Sequence, residues 1–260
     1  VLLRLRFQLD LYVNLRPARL YDDRLSPLRD PARRGIDLLI VRENTEGLYV
    51  GMGGRFRRGT EHEVAVQEDL NTHHGVGRIL EQGFRRASRR LCMVDKSNAM
   101  NHAGGLWQER WAQARAAHPE LETRHLYVDA AAMELVRDPT QFEVIVTGNL
   151  FGDILSDLTA ALVGGMGVAP SANINPETRR GLFEPVHGSA PGIAGQGIVN
   201  PVGAILTAGM MVEHLGDEDA AKRMESAVRG AIRAGECTRD LGGSLSTREA
   251  ADAVIGRLRD

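Results

Sequence analysis

The run Val144-Ile-Val-Thr-Gly-Asn-Leu-Phe-Gly-Asp-Ile-Leu-Ser-Asp157 restricts what this 260-residue chain can fold into more than any other stretch. It opens on an apolar triplet, Val144 to Val146, that reads as a buried strand, and Thr147-Gly148-Asn149 then breaks it with small, turn-prone residues. A helix beginning near Leu150 would put Asp153 and Asp157 one turn apart on one face, where like charges repel. A hard divalent cation, Mg²⁺ or Mn²⁺, removes that repulsion by taking carboxylate oxygens. The plainer alternative is a pair of solvated acids near a helix start, which the macrodipole tolerates. A buried strand running into a helix is where open α/β sheets place their ligands, and that favours the metal.

The rest of the chain repeats the strand-then-helix pattern. Leu2 to Val13 reads as helix-like, and Pro17 forces Arg16 of Asn14-Leu-Arg-Pro17 into an extended conformation, on a strand or turn. Tyr21 to Arg34 is a polar surface loop, Ile36 to Val41 a second buried strand, and Gly51-Met-Gly-Gly54 a hairpin or arm. Helical spacing over Thr72 to Arg90 precedes a strand at Leu91 to Val94, and a helix through Trp107 and Trp111 precedes the extended Leu126-Tyr-Val-Asp129 and a helix holding Met133, Leu135 and Val136. Beyond the central element come a turn at Pro176 to Gly181, an extended Leu182 to Val186, an apolar helix over Pro201 to His214 and an amphipathic one over Glu218 to Ala234. Strands alternating with helices predict an α/β fold with a substantially parallel sheet.

Composition removes several function classes. A net charge of -2 leaves no electrostatic footprint for nucleic acid, and no apolar run approaches a membrane span. Two cysteines, Cys92 and Cys237, are too few for a disulfide framework and suit a reducing, cytoplasmic setting. The chain begins Val-Leu-Leu-Arg-Leu-Arg, with neither an initiator Met nor the layout of a signal peptide, and reads as one missing its own beginning.

Several polar groups follow apolar runs closely. Arg6, Arg16 and Arg42 would suit a substrate with more than one carboxylate, since each guanidinium presents a planar fork; they are equally readable as three of many surface arginines. Lys96 after its strand is either a general base of lowered pKa or a solvated lysine, and Tyr49 by itself is an ordinary half-buried tyrosine. The small residues of His187-Gly-Ser-Ala-Pro191 keep a loop open whose amides suit a nucleotide phosphate or an adenine, with Asn200-Pro201 closing it. No G-x-G-x-x-G precedes a helix, so an ordinary Rossmann site is not supported, and the histidines show no zinc spacing.

Asn14-Leu-Arg-Pro17, Arg42-Glu-Asn-Thr-Glu-Gly-Leu-Tyr49, Asp95-Lys-Ser-Asn98, Tyr127-Val-Asp129, Asn149 to Asp157 and Glu184-Pro-Val-His-Gly-Ser-Ala-Pro191 occur in the order of the isocitrate/isopropylmalate, or β-decarboxylating, dehydrogenases. The resemblance spans nearly the whole chain and is highly specific in combination. Val94 to Asn98 with Gly105-Leu-Trp107, and Tyr127 to Met133, resemble the 3-isopropylmalate branch, whereas Gly53-Gly54 with Gly59-Thr60, and Ser171-Ala-Asn173 with Asn175-Pro-Glu177, also resemble the tartrate and D-malate branch.

That resemblance implies two α/β subdomains flanking a cleft, distinct from the Rossmann fold: an incomplete cofactor unit at 1–11 and 164–260, and a dimerisation, substrate and metal unit at 12–163. It implies NAD- and Mg²⁺- or Mn²⁺-dependent oxidative decarboxylation of a 2-hydroxy diacid, with 3-isopropylmalate of leucine biosynthesis foremost. The alternatives are the tartrate/D-malate reaction or a truncated member that dimerises without catalysis. Arg6, Arg16 and Arg42 would hold carboxylates, and Leu2 and Leu3 would line the isopropyl pocket. Asp153 and Asp157, with Asp129 of a second subunit, would hold the metal. Lys96, also from that subunit, would be the base and Tyr49 the acid, making a homodimer a condition of activity. Glu184, His187, Gly188, Ser189, Ala190 and Asn200 would bind NAD. Gly192 stands where NAD users carry an Asp for the ribose hydroxyls, and Gly192-Ile193 lacks the basic pair of NADP users, which leaves NAD with weakened affinity. The family's opening strands and nucleotide loop would lie before Val1, so the chain by itself is expected to be inactive.

Overall fold

The computed structural model describes residues 2–259. Val1 and Asp260, the outermost residues of the expected cofactor unit, lie outside the described residues. Within them, one sheet of seven strands runs β6-β5-β7-β2-β1-β8-β9. Its strands are β1 (Val13–Arg19), β2 (Asp37–Glu43), β5 (Arg90–Asp95), β6 (Glu122–Tyr127), β7 (Val144–Thr147), β8 (Ala172–Asn175) and β9 (Arg180–Phe183). A separate hairpin pairs β3 (Gly53–Phe56) with β4 (Val64–Gln67), at the place where the glycine run suggested an arm.

The four strands β6, β5, β7 and β2 are parallel, whereas β1, β8 and β9 join antiparallel. The expectation of a substantially parallel sheet therefore describes only its β6-to-β2 half. Parallel strands are covered on both faces, and their alternation divides their side chains between two cores. Leu38, Ile40, Cys92, Val94 and Ile145 face one core with residues of α4 (Val128–Arg137), α5 (Asn149–Leu162), α6 (Val202–His214) and α7 (Glu218–Arg233). Val41, Leu91, Met93, Val144 and Val146 face the other, under α2 (His73–Arg86) and α3 (Asn101–Ala116).

Two boundaries differ from the sequence expectation, and two elements are additional to it. The leading helix α1 covers only Leu2–Gln8, because the chain turns at Asp10 (φ 47°) before β1 starts at Val13. That corner is gripped from two sides: Arg78 of α2 bonds both carboxylate oxygens of Asp10, at 2.7 and 2.9 Å, and the Asn175 amide donates to the Asp10 carbonyl at 2.9 Å. Asp129 is not on an extended segment but in the first turn of α4, where a carboxylate complements the helix dipole. β8 and the final helix α8 (Thr247–Arg259) have no counterpart in the sequence reading.

The register of β1 on β2 sets up the site. Asn14 lies opposite Arg42 and Arg16 opposite Ile40, so both arginines project from the same sheet face, the face that α5 covers. Gly152 of α5 makes this fit possible, since a Cβ there would stand 2.6 Å from Cγ and 2.7 Å from Cβ of Arg42. In an exposed helix Gly→Ala stabilises, by up to ~1 kcal/mol. Here Gly152→Ala is expected to destabilise by about 1–3 kcal/mol through overpacking. A shift of the denaturation midpoint to lower denaturant would bear this out; an unchanged or raised midpoint would show that the Arg42 stem yields freely.

Candidate active site

Arg42 is 1% exposed, near the end of β2 and not past it as an apolar run followed by a polar group suggests. Its Nε and Nη2 donate to Asn149 Oδ1 at 3.0 and 2.7 Å, and its Nη1 pairs with Asp153 Oδ1. Arg16, on β1, is also buried; it donates through Nε to Asn14 Oδ1 (2.7 Å) and through Nη1 to Ser156 Oγ (2.8 Å). It reaches Asp153 at 3.5 Å and Asp157 at 3.8 Å. Arg6, the only buried residue of α1, pairs with Glu184 at 3.1 Å, and its Nε has no hydrogen-bond partner among the described residues. Tyr49, in the short turn Leu48–Val50, donates to Asp153 Oδ2 at 2.7 Å and lies under the Arg42 guanidinium, 5.3 Å from its ring centre.

These groups form one electrostatic unit. Burial lowers the Arg16 pKa to about 10, with the Arg42 and Arg6 charges adding to the effect and Asp153 and Asp157 opposing it. Burial likewise lowers Arg42, Arg6 acting in the same direction and Asp153 against it. Three guanidiniums here meet three carboxylates, Glu184, Asp153 and Asp157, and their planar forks suit an anionic ligand where a cation engages the two aspartates. Burial works to raise Asp153, but Arg42, the Tyr49 hydrogen bond and Arg16 outweigh it and hold the carboxyl below its usual range. Asp157 moves the other way: burial and the adjacent Asp153 raise it against the pull of Arg16. Burial, then the bond to Asp153, raises the Tyr49 phenol.

Asp153 and Asp157 offer hard oxygen donors on one helical face, as Mg²⁺ or Mn²⁺ requires. Among the described residues no third His, Cys, Asp or Glu completes a metal cluster with them. Asp129 bonds Lys96 Nζ at 2.7 Å, and that bond first of all holds its carboxyl below the usual range. One chain therefore brings together Arg6, Arg16, Arg42, Tyr49, Asp153 and Asp157, and keeps Lys96 and Asp129 as a separate pair. Leu2 and Leu3 lie one turn before Arg6 on α1, both exposed.

Glu184 holds Arg6 and accepts from the Asn173 amide at 3.1 Å. Gly188, Ser189 and Ala190 are exposed, His187 is half-buried with Nδ1 2.9 Å from the Gly188 carbonyl, and Ala190 takes a left-handed φ of 43°. Nothing lies within 4 Å of where a Cβ would stand on Gly188 or Gly192, so the loop presents bare backbone. Asn200 is buried, donating to Asp240 Oδ2 (2.9 Å) and accepting from the Val202 amide (3.0 Å), so its side chain shapes the base of that loop.

The chain as a whole is similar to known proteins. The family model for isocitrate/isopropylmalate dehydrogenase matches residues 1–254. The chain is 48% identical to 3-isopropylmalate dehydrogenase of Corynebacterium glutamicum over 263 aligned residues, which cover 100% of this chain and 76% of that protein. It is 47% identical to the enzyme of that name from Thermobifida fusca, with 100% and 74% covered. The crystal structure of isocitrate dehydrogenase from Methylococcus capsulatus superimposes with a TM-score of 0.92 at 40% identity, covering 99% of this chain and 76% of that one. The chain belongs to the isocitrate/isopropylmalate dehydrogenase family. It is an oxidoreductase of the isopropylmalate dehydrogenase type, and the sheet and helices above are that family's fold.

Three features of the family site escape a reading by residue type. Asn14 and Ser156 hold Arg16, and Asn149 holds Arg42, all through neutral groups. Asn173, part of the likeness to the tartrate branch, is occupied inside the sheet by Asn14, Asn44 and the Leu182 carbonyl. Glu43, next to Arg42, is buried and accepts from the Thr45 amide and hydroxyl and the Glu46 amide, at 2.7 to 3.1 Å. All of them stand inside the quoted motifs, but none is of a residue type that announces its role there.

Burial raises the Glu43 carboxyl from 4.5 to about 6, against those hydrogen bonds. A raised folded-state pKa means that the folded chain holds this proton more tightly than the unfolded one. Its contribution to stability is thus complete below 4.5 and lost as pH rises through about 6. Relative to Glu43→Gln, the wild type should lose about 2 kcal/mol across that window. Denaturant titrations of both proteins at several pH values would measure it, and parallel curves would count against a buried, titrating Glu43.

Proposed function

We propose that this site serves NAD-dependent oxidative decarboxylation of 3-isopropylmalate with Mg²⁺ or Mn²⁺, in a homodimer in the cytoplasm, in leucine biosynthesis. The observation that carries this reading is the buried convergence of Arg6, Arg16 and Arg42 on the face that holds Asp153, Asp157 and Tyr49. The names of the Corynebacterium and Thermobifida relatives favour 3-isopropylmalate among the diacids. Two free, buried cysteines suit a reducing compartment, and among the described residues no helix is long and apolar enough to cross a membrane.

In this reading the three guanidiniums bind and orient the two carboxylates, and the exposed Leu2 and Leu3 of α1 meet the apolar branch. NAD, when bound, would supply the hydride acceptor for C2, and the divalent cation a Lewis acid toward the 2-hydroxyl and the charge left by CO₂ loss. Asp153 and Asp157 would supply two of the cation's oxygen ligands and Asp129 of the partner subunit a third. The loop at His187 to Ala190, with Glu184 and Asn200 at its two ends, would take NAD. Lys96 of the partner subunit takes the hydroxyl proton, and Tyr49, protonated and in place beside Asp153, returns one to C3.

The division of labour between subunits has two supports. Lys96 and Asp129 are bonded to each other, and the structure gives neither of them a hydrogen bond or ion pair to Arg6, Arg16, Arg42, Asp153 or Asp157. The α4–α5 face near Asp129 exposes Met133 (60%), Val136 (50%) and Ile154 (55%), an apolar area that a second copy would cover. The β3–β4 hairpin, with Phe56, Val64 and Val66 exposed, offers a further contact. The subdomain division at 11/12 and 163/164 also belongs to this proposal; it would let α1 and its Arg6 move against β1 and β2.

Turnover of 3-isopropylmalate, isocitrate, tartrate and D-malate with NAD and Mg²⁺ is the direct test, with 3-isopropylmalate expected to give the highest kcat/KM. Lys96→Met and Tyr49→Phe should each be inactive by themselves. Mixed and allowed to exchange, they should recover roughly a quarter of the wild-type rate, because half the dimers are mixed and each has one whole site. No recovery after verified exchange would sink the shared site, and preference for another diacid would sink the substrate.

A further inference from the structure

Arg42 and Tyr49 come from different segments, yet they meet the two oxygens of one carboxylate. Arg42 Nη1 pairs with Asp153 Oδ1, and the Tyr49 hydroxyl donates to Asp153 Oδ2 at 2.7 Å. A guanidinium on a long stem and a tyrosine on a short turn need something to fix their relative placement. Asp153 cannot do so alone, since its side chain is partly exposed and each partner touches it through one atom.

The group that touches both arms is Asn149, the first residue of α5 and 3% exposed. Its Oδ1 receives the Nε–Nη2 edge of Arg42, which fixes the guanidinium plane and leaves Nη1 to face Asp153. Its Nδ2 donates to the Glu46 carbonyl at 2.8 Å, one residue before Gly47. Gly47 holds φ at 81°, and a Cβ there would stand 3.1 Å from the Asn149 Cβ, so the turn into Leu48–Val50 passes against this side chain. Asn149 and Asp153 are one turn apart on α5, on the same face. The contacts close into a ring: Asn149 to Arg42 to Asp153 to Tyr49, and back through the backbone of residues 46–49 to Asn149.

We propose that Asn149 is a positioning residue, whose amide sets Arg42 and the Tyr49 turn in one geometry on Asp153. This rests on the reading of Arg42 as a ligand of a substrate carboxylate and Tyr49 as the acid. The choice of an amide has a chemical reason. It offers an acceptor to a cation and a donor to a carbonyl at the same time, without charge. A carboxylate at 149 would also accept from Arg42, but it would set a third negative charge beside Asp153, offset the cation meant for substrate, and repel the Glu46 carbonyl oxygen. The arginine thus stays oriented while its charge remains available.

The test compares wild type, Asn149→Ala and Asn149→Asp, the last keeping the shape of the side chain should the alanine variant fold poorly. The first readout is the ¹⁵N-edited NMR signal of the Arg42 Nε–H, assigned by its loss in Arg42→Lys. It should be protected from exchange in wild type, exchange at least ~10-fold faster in Asn149→Ala, and stay protected in Asn149→Asp. The second readout is steady-state kinetics with 3-isopropylmalate, NAD and Mg²⁺. Asn149→Ala should raise KM and lower kcat, each by about 10- to 100-fold, the effect of losing hydrogen bonds to a charged group. Asn149→Asp should raise KM although its Arg42 signal is intact. A folded Asn149→Ala with a protected Arg42 signal and wild-type KM and kcat would overturn the proposal, as would an Asn149→Asp with wild-type KM. The NMR readout needs no turnover. If wild type oxidised no diacid, the proposed reaction would fall, and the Arg42 signal would still decide the role of Asn149.

Discussion

A permanently cationic guanidinium inside a protein is costly unless its hydrogen bonds are met, and Arg42 at 1% exposure is the point from which the rest of this structure follows. Its stem crosses beneath α5 at Gly152, where only a residue without a side chain leaves room. Its head is met by one neutral amide and one carboxylate, Asn149 and Asp153, both supplied by the first turns of that helix. The helix cannot shift along the sheet without breaking both contacts. The antiparallel partner strand is fixed in turn, because Asn14, directly opposite Arg42, holds the neighbouring Arg16. Packing and charge thereby specify the same register.

That arrangement also explains why the two aspartates of α5 differ. Asp153 sits against Arg42, Arg16 and Tyr49 and is held ionised, whereas Asp157 has one more distant cation and a like charge beside it, and is held less so. A pair that the sequence presents as equivalent is made unequal by the strands beneath it.

The legibility of the chain followed the physics of each element. β2, β5 and β7 were readable because strands buried on both faces must be nearly continuous in apolar residues, and α2 and α7 because a half-buried helix carries a 3.6-residue period. β8 was not readable: Ala172-Asn-Ile-Asn175 is buried through asparagines that bond Asn14 of β1 and the Asp10 corner, and buried polarity has no hydrophobic signature. α8 was missed because its buried residues are only Ala250 and Val254, too sparse to mark a period among its charges. The helix α1 was read too long because Asp10 ends it by a left-handed turn that no glycine or proline announces. Within the site, the charged groups Arg6, Arg16, Arg42, Asp153 and Asp157, and the Tyr49 phenol, stood out by residue type and by the family's motifs. Of the neutral ones, Asn149 and Ser156 take their meaning from partners 107 and 140 residues away, Arg42 and Arg16, whereas Asn14 holds Arg16 from two residues before it on the same strand.

The corner at Asp10 has a consequence for the arginine cluster. It is the fulcrum of a short lever: α1 extends from it on one side and carries Arg6, while Arg78 of α2 and Asn175 of β8 clamp it on the other. Two elements remote in sequence therefore set the angle at which the third guanidinium enters the site. Substitutions in α2 or in the β8–β9 hairpin, far from any ligand, act on the same fulcrum. On the proposed reading of Arg6 as a substrate ligand, homologous chains with identical arginines would in this way differ in the width of the anion site, and so in the length of the diacid they accommodate.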